Sequence, residues 1–240
     1  MKQSVTILQL YPRDMNIYGD WGNTLTLKRR LEWRGYDVTL LEYNPGDSFP
    51  HDIDIIVGGG GQDSGQSRIS DDLLKIGPTL TRLADEGMPM LVICGLYQQF
   101  GHFFKTKDGD IIKGIDVLDV ETYGSDARMI GNIITRSDEF GDIIGYENHS
   151  GQTTLGQTAI PLARVILGAG NNDHDSHEGA RYKNVVGSYL HGSLLPKNPN
   201  IADFLIACAV KRKFDTELAP INLTTDYTEL ARQHAMKRPR

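Results

Sequence analysis

Short apolar runs and amphipathic stretches alternate along the first hundred residues. Two stretches, 24–34 and 70–86, have apolar positions at helical spacing. Asp20 and Asn23 are candidate capping residues for the first stretch, and Gly77–Pro78 should disturb the second. The strands predicted before, between and after them are residues 5–10, 38–43, 53–57 and 90–93. This alternation predicts an α/β fold in which a mainly parallel sheet has helices on both faces.

The second half of the chain alternates apolar runs with glycines and polar turns, and little helix intervenes. We expect its strands to extend the first sheet with an antiparallel portion. These predicted strands are residues 115–120, 129–135, 143–147, 165–167 and 185–189. Helices are predicted over 198–211 and 226–236. We therefore expect one α/β domain over 1–214 and a C-terminal extension over 215–240, consisting of a helix and a basic tail.

The composition is that of an ordinary globular protein. The 240 residues are 39% hydrophobic and 23% charged, with a net charge of -6, which does not suggest a nucleic-acid partner or an anionic membrane surface. No run reaches the ~20 apolar residues of a membrane span, and the N-terminus does not resemble a signal peptide. Two cysteines without paired spacing argue against a disulfide framework. We expect a cytoplasmic protein.

Cys94 follows the apolar run 90–93 and precedes a predicted short helix over 96–100. A helix N-terminus has unpaired N–H groups and partial positive charge, which favour a thiolate over a thiol. The position therefore suits a nucleophile at a strand-to-helix turn. The alternative is that Cys94 is a small buried apolar residue.

Four glycines, Gly58 to Gly61, follow the third predicted strand. Such a loop exposes backbone N–H groups that can hold a phosphate or an oxyanion. The loop lacks the spacing of a dinucleotide fingerprint and of a Walker A loop. An N–H of this loop together with that of Gly95 could form an oxyanion hole, and a simple tight turn is the alternative.

His191 is the best candidate for a general base. It ends the predicted strand 185–189 and its short continuation. Functional groups of open α/β sheets collect at the carboxyl ends of the strands, where Cys94 also lies. A cysteine and a histidine that are distant in sequence and close in space form a nucleophile–base pair.

The other histidines are weaker candidates. His174 and His177, with Asp173 and Asp175, have a spacing that vaguely suggests a metal site, although a solvated polar loop accounts for it as well. His149 ends a predicted strand and could line a pocket. We predict no metal site.

Several segments resemble those of the CobB/CobQ-like branch of class I glutamine amidotransferases. Within this branch, they are similar to the glutaminase subunits of the lipid II isoglutaminyl synthases of Gram-positive bacteria. The resemblance extends to about Phe214. The segments that carry it are residues 10–12, 15–20, 22–23, 59–63, 94–98, 145–153 and 187–192.

The resemblance implies a class I glutamine amidotransferase-like, flavodoxin-like fold and a set of roles. Cys94 would attack the side-chain amide of glutamine, and His191 would move the protons. Backbone N–H groups of Gly60 or its neighbours, and of Gly95, would hold the oxyanion. Arg128 matches a substrate-binding arginine, and its planar charged fork suits the α-carboxylate of L-glutamine.

The resemblance also implies a partner. In this family, ammonia passes to a Mur-ligase-like, MurT-type synthetase subunit that binds ATP and Mg. That partner would amidate the α-carboxyl of D-glutamate in lipid II to give D-isoglutamine for peptidoglycan synthesis. This chain shows no ATP-binding loop, so we expect no cofactor on it.

One position departs from the pattern. Many class I amidotransferases have a carboxylate two residues after the histidine, where this chain has Ser193. A third member of the triad would come from elsewhere in the chain, from the partner, or be absent, and we hypothesise a partner carboxylate. Two other functions stay open: an amidotransferase subunit of cobyrinate type or with another acceptor, and a non-enzymatic binding protein on the same fold.

Overall fold

A six-stranded, mainly parallel sheet forms the centre of the chain, for which a computed structural model describes residues 3–221 and 227–239. Its strands are β1 (Ser4–Leu10), β2 (Asp37–Tyr43), β3 (Ile55–Gly58), β4 (Met90–Ile93), β11 (Ala180–Tyr182) and β12 (Val185–Ser188). Their order is β11-β12-β4-β3-β1-β2, and only β11 is antiparallel to its neighbour. Every residue of β3, β4 and β12 is buried, so both faces of the sheet are covered.

Helices cover this sheet and connect its strands. They are α1 (Trp21–Glu32), α2 (Asp63–Asp85), α3 (Gly95–Gln99), α4 (Leu194–Lys197), α5 (Pro199–Phe214) and α6 (Tyr227–Met236). The predicted disturbance at Gly77–Pro78 is wrong, because α2 runs through Pro78 without a break. Helix α2 begins directly after the glycine loop, and its buried apolar stripe holds it on the core. Of the helices within 3–221 and 227–239, none has the length and apolar character needed to cross a membrane.

The predicted extension of the first sheet, with an antiparallel portion, is limited to β11 and β12. The rest of the second half of the chain forms a separate sheet. Its strands are β5 (Phe103–Lys105), β6 (Ile111–Lys113), β7 (Val120–Ser137), β8 (Gly141–Leu155), β9 (Ala163–Leu167) and β10 (His177–Glu178). Their order is β10-β9-β7-β5-β6, with β8 paired to β7. The long β7–β8 hairpin is antiparallel, and its register shifts between Gly124 and Met129.

The predicted strand over 115–120 is also wrong. Ile115, Val117 and Leu118 are buried in the core, which accounts for their apolar pattern. Their backbone forms a connection instead of a strand, and the N–H groups of Val117 and Leu118 both donate to the carbonyl oxygen of Phe100. The apolar run therefore marks burial here and not a strand.

The C-terminal helix α6 packs on the domain, in contact with α4 and β8. Arg232 donates to the carbonyl oxygens of Lys197 and Asp142, the second at 2.7 Å. The prediction of a helix here is confirmed from Tyr227 onward. Asp226 and Arg240, which the predicted extension includes, lie outside the described residues.

Candidate active site

Cys94 lies at the predicted strand-to-helix turn, between β4 and α3. Its backbone has φ 50° and ψ -104°, a conformation that costs a non-glycine residue about 1–3 kcal/mol. Two hydrogen bonds fix the turn: the Cys94 N–H donates to Ser188 O at 2.9 Å, and the Gln98 N–H donates to Cys94 O at 2.9 Å. Cys94 is buried, with 7% of its surface exposed, and it lines a cavity.

His191 follows β12, which is the neighbour of β4 in the sheet. Its backbone N–H donates to Tyr146 O at 2.7 Å, and its ring lies 4.3 Å from that of Tyr18, between centroids. The glycine loop shows how close His191 and Cys94 are. A methyl group added at Gly60 would lie 2.8 Å from His191 Cε1 and 3.1 Å from Cys94 Cβ. The structure thus brings the two predicted reactive residues together around Gly60.

Asp20 is a third buried polar group at this point. Its Oδ2 accepts a hydrogen bond from the Gly60 N–H at 2.8 Å. Its Oδ1 lies 3.6 Å from His191 Nδ1, and both residues are almost completely buried. Asp20 was predicted as a capping residue of α1, and it does occupy the N-cap position, but its side chain makes no capping hydrogen bond.

The charges around His191 favour its protonated form. Burial by itself lowers the pKa of His191, but the facing Cys94 and the Asp20 carboxylate outweigh it and raise the pKa to about 10. A protonated imidazole facing a cysteine sulfur is the arrangement of a nucleophile–base pair.

A cavity of about 370 Å³ opens next to Cys94 and is the size of a small amino-acid pocket. Arg128 lines it, and its position is set by two hydrogen bonds. Its Nε donates to Asn148 Oδ1 at 2.9 Å, and its Nη2 donates to Tyr18 Oη at 3.3 Å. The register shift in β7 precedes Met129, so Arg128 belongs to the irregular part of the hairpin.

A buried polar network forms the floor of this cavity. Gln98 accepts a hydrogen bond from Gln66 at 2.9 Å and donates one to Tyr189 Oη at 3.0 Å. The Tyr189 ring stacks on His149, with 3.6 Å between centroids. Burial lowers the pKa of His149 to about 3, so this histidine is neutral and not a second base. The expectation that His149 could line a pocket agrees with its place in the cavity wall.

The backbone N–H groups around Cys94 are not equally available to an oxyanion. The Gly60 N–H is occupied, because it donates to Asp20. The Gly61 and Gly95 N–H groups donate to no other described residue. The backbone nitrogen of Gly61 lies 3.1 Å from the position that a Cβ of Gly95 would take, so the two amides are neighbours.

The remaining candidates lie away from this site. His174 and His177 face Asp173 and Asp175, and no group of three or more potential metal ligands forms within 3–221 and 227–239. A cavity of about 580 Å³ lies between the edges of the two sheets, and neither Cys94 nor His191 lines it.

The chain is similar to known proteins in sequence and in fold. A protein family described as the CobB/CobQ-like glutamine amidotransferase domain matches residues 6–199. The chain is 40% identical over 210 residues to subunit GatD of the glutamine-hydrolysing lipid II isoglutaminyl synthase of Staphylococcus aureus (strain N315), covering 87% of this chain and 86% of that one. The Streptococcus pneumoniae (strain ATCC BAA-255 / R6) GatD subunit is 37% identical, with 89% and 84% covered. The crystal structure of a glutamine amidotransferase has a similar fold, with a TM-score of 0.59 and 14% identity over 84% of this chain and 98% of that chain.

Proposed function

The chain belongs to the CobB/CobQ-like glutamine amidotransferases, and we propose that it is the glutamine-hydrolysing subunit of a lipid II isoglutaminyl synthase. The observation that supports this most directly is the meeting of Cys94 and His191 at Gly60, beside an amino-acid-sized cavity that contains Arg128. A nucleophile, a proton carrier and a carboxylate-binding group are the three parts that hydrolysis of free glutamine requires.

The reaction begins when the Cys94 thiolate attacks the side-chain amide carbon of L-glutamine. The carbonyl oxygen becomes an oxyanion in the tetrahedral intermediate. His191, which is protonated at rest, donates its proton to the amide nitrogen, and ammonia leaves as the C–N bond breaks. A water molecule, deprotonated by His191, then attacks the thioester. Glutamate departs, and the thiolate is restored.

The oxyanion requires N–H donors that are free to bind it. We propose the Gly95 N–H, at the start of α3, and the Gly61 N–H as these donors. Gly60, expected from the resemblance, is instead held by Asp20. One such donor typically contributes about 3–4 kcal/mol to the barrier reduction.

Arg128 is proposed to bind the α-carboxylate of glutamine. Its guanidinium is exposed toward the cavity, and Asn148 and Tyr18 hold it from one side. A fixed guanidinium fork binds a carboxylate with two parallel hydrogen bonds. This places the α-carboxylate at one end of the cavity and the side-chain amide at Cys94.

The ammonia is proposed to pass to a partner. The relatives named above are subunits of a synthase, so we propose a MurT-type, Mur-ligase-like subunit that binds ATP and Mg and amidates the D-glutamate α-carboxyl of lipid II. We place both subunits in the cytoplasm, where ATP is available. Co-expression with such a synthetase, followed by purification and a lipid II amidation assay, tests the acceptor. Ammonia release without amidation of lipid II would indicate a different acceptor.

The glutaminase step is tested with the purified full chain and its synthetase. Cys94→Ala and His191→Ala should each abolish ammonia release while the far-ultraviolet circular dichroism is unchanged. Cys208→Ala is the matched control, because Cys208 is the other cysteine of the chain and lies in α5. The glutamine analogue diazo-oxo-norleucine should label Cys94 in the parent and not Cys208. Turnover retained in Cys94→Ala would reject the proposal.

A further inference from the structure

Asp20 has a carboxylate whose buried position the hydrolytic steps above do not explain. The side chain is completely buried, and burial of a charged carboxylate is costly unless charged or hydrogen-bonding groups compensate it. Here it faces His191, at 3.6 Å from Oδ1 to Nδ1, and accepts the Gly60 N–H with Oδ2. Oδ1 itself has no hydrogen-bond partner among the described residues.

We propose that Asp20 is a positioning residue that orients the His191 imidazole toward Cys94 and stabilises its protonated form. This inference rests on the proposed function. A carboxylate at Nδ1 fixes the tautomer that carries its hydrogen there, and it leaves Nε2 for the sulfur. A movement of well under 1 Å would bring the 3.6 Å separation to hydrogen-bonding distance.

The local structure around the helix start supports this role. An aspartate at an N-cap normally accepts a hydrogen bond from the second or third helical N–H, a contact worth about 1 kcal/mol. Asp20 occupies the N-cap of α1 with φ -61° and ψ -17° and makes no such bond. The carboxylate is turned away from its own helix and toward His191 and the glycine loop. Asn16 Oδ1 instead accepts the N–H of Trp21, the first residue of α1, at 2.9 Å.

The segment around Asp20 is hydrogen-bonded to the segment that follows His191. Ser193 Oγ donates to Gly19 O at 2.8 Å, and the Leu195 N–H donates to Asn23 Oδ1 at 2.9 Å. Gly22 lies so close that an added Cβ would be 2.2 Å from Ser193 Oγ. Two loops joined in this way keep Asp20 and His191 in a constant relation.

This arrangement accounts for the absence of a carboxylate at position 193. Many class I amidotransferases have a carboxylate at that position, where this chain has a serine that binds Gly19. The carboxylate beside the histidine then comes from Asp20, at the start of α1. A carboxylate from the partner is therefore not needed to account for one next to His191. The two sources of this carboxylate, Asp20 and the partner, predict different results for the Asp20 variants below.

Two substitutions separate the effect of the Asp20 charge from that of its hydrogen bond with the Gly60 N–H. Asp20→Asn removes the charge and keeps an oxygen that can accept the Gly60 N–H, whereas Asp20→Ala removes both. With the full chain and its synthetase, Asp20→Asn should lower kcat for glutamine roughly 10- to 100-fold, part of the ~10²–10⁴ that positioned proton transfer contributes, with KM within about twofold. Asp54→Asn is the matched control, since Asp54 is also buried, accepts the Thr6 N–H at 2.7 Å and faces Lys213. It should leave turnover unchanged.

A pH titration of His191 tests whether Asp20 acts on it, without a measurement of turnover. In Cys94→Ala protein, nuclear magnetic resonance of the labelled imidazole should give a deprotonation midpoint about one pH unit higher than in Cys94→Ala/Asp20→Asn protein. Unchanged kcat in Asp20→Asn together with an unchanged midpoint would overturn the inference, and so would a defect confined to Asp20→Ala. A chain without glutaminase activity that still shows the shift would contradict the proposed function and leave the Asp20–His191 coupling in place.

Discussion

The two sheets contribute to the site in different ways. The first sheet supplies Cys94 and His191 at the ends of adjacent strands, β4 and β12, whose residues are all buried. The second sheet supplies Arg128 and Asn148 from a long hairpin whose residues are partly exposed. Short buried strands hold reacting atoms to a fraction of an ångström, whereas an irregular hairpin can adjust to a substrate. The difference predicts that changes in the first sheet reduce kcat and changes in the second raise KM.

The two sheets meet at Glu178. Substitution of this residue is expected to have the largest effect, which is on the pH dependence of the free energy of unfolding. Glu178 of β10 accepts hydrogen bonds from Ser188 Oγ at 3.0 Å and from the Tyr189 N–H at 2.9 Å. Complete burial is the main cause that raises the pKa of Glu178 to about 7 from its ordinary 4.5. Because the folded-state pKa is the higher one, this residue's contribution to stability is complete below pH ~4.5 and is lost as the pH rises through ~7. The loss amounts to about 3 kcal/mol.

Glu178→Gln should remove this dependence. Urea unfolding at pH 5 and pH 8 should show that the free energy of unfolding of the parent falls by about 2.5 kcal/mol more than that of the variant. The difference between the two pH values is the test, since the amide cannot ionise and its own packing cost is the same at both. Parallel pH dependences for parent and variant would mean that Glu178 does not change its protonation in this range.

Within the first sheet, Gly60→Ala is expected to act on turnover. The backbone of Gly60 does not have a positive φ, so alanine can adopt it. The new methyl group would lie 2.8 Å from His191 Cε1 and 3.1 Å from Cys94 Cβ, and the two side chains must move apart. A displacement approaching 1 Å costs about 100-fold, so kcat should fall by this order while KM changes little.

Gly77→Ala in α2 is the control for the added methyl group. Its Cβ would lie 2.9 Å from Ile115 Cγ2, an equally close approach away from Cys94 and His191. Gly77→Ala should keep its turnover, measured as ammonia release with the synthetase present. If both variants lose activity equally, the loss reports general misfolding, and the reacting groups do not depend on the space at Gly60.

The sequence was most informative where chemistry depends on local structure. The run 90–93, followed by Cys94 and Gly95, predicted a strand, a turn and a helix, and all three are confirmed. A short, fully apolar run that ends at a glycine-containing turn is typical of a buried strand, because both of its faces must be covered. The turn that begins at Cys94 is also one of the segments that carry the family resemblance.

The sequence was least informative where distant segments pair. The run 115–120 is apolar because it is buried, and pattern alone cannot show that its N–H groups bind Phe100 instead of a strand. The second sheet was predicted as an extension because strand patterns do not specify partners. Asp20 was predicted as a cap for the same reason: its contact with His191 joins residues far apart in the chain.

Of the variants Glu178→Gln, Gly60→Ala and Arg128→Ala, the last, in the second sheet, is expected to have the smallest effect. Arg128→Ala should raise KM for glutamine roughly 10-fold, near the lower end of the 1.5–3 kcal/mol of a charged hydrogen bond, because the guanidinium is exposed. The kcat should change little, since Cys94 and His191 are held by the other sheet. Arg128→Lys should recover only part of the loss, because an ammonium group cannot make the two parallel bonds of a guanidinium.

Arg164→Ala, in β9 of the same sheet, is the control for removal of a positive charge. Arg164 lines the larger cavity between the sheet edges and not the one beside Cys94. The KM of Arg164→Ala for glutamine should equal that of the parent in steady-state assays of ammonia release. A fall in kcat with unchanged KM in Arg128→Ala would place this arginine among the groups that stabilise the transition state. In that case the second sheet would take part in the chemical step, and the division of roles between the two sheets would not hold.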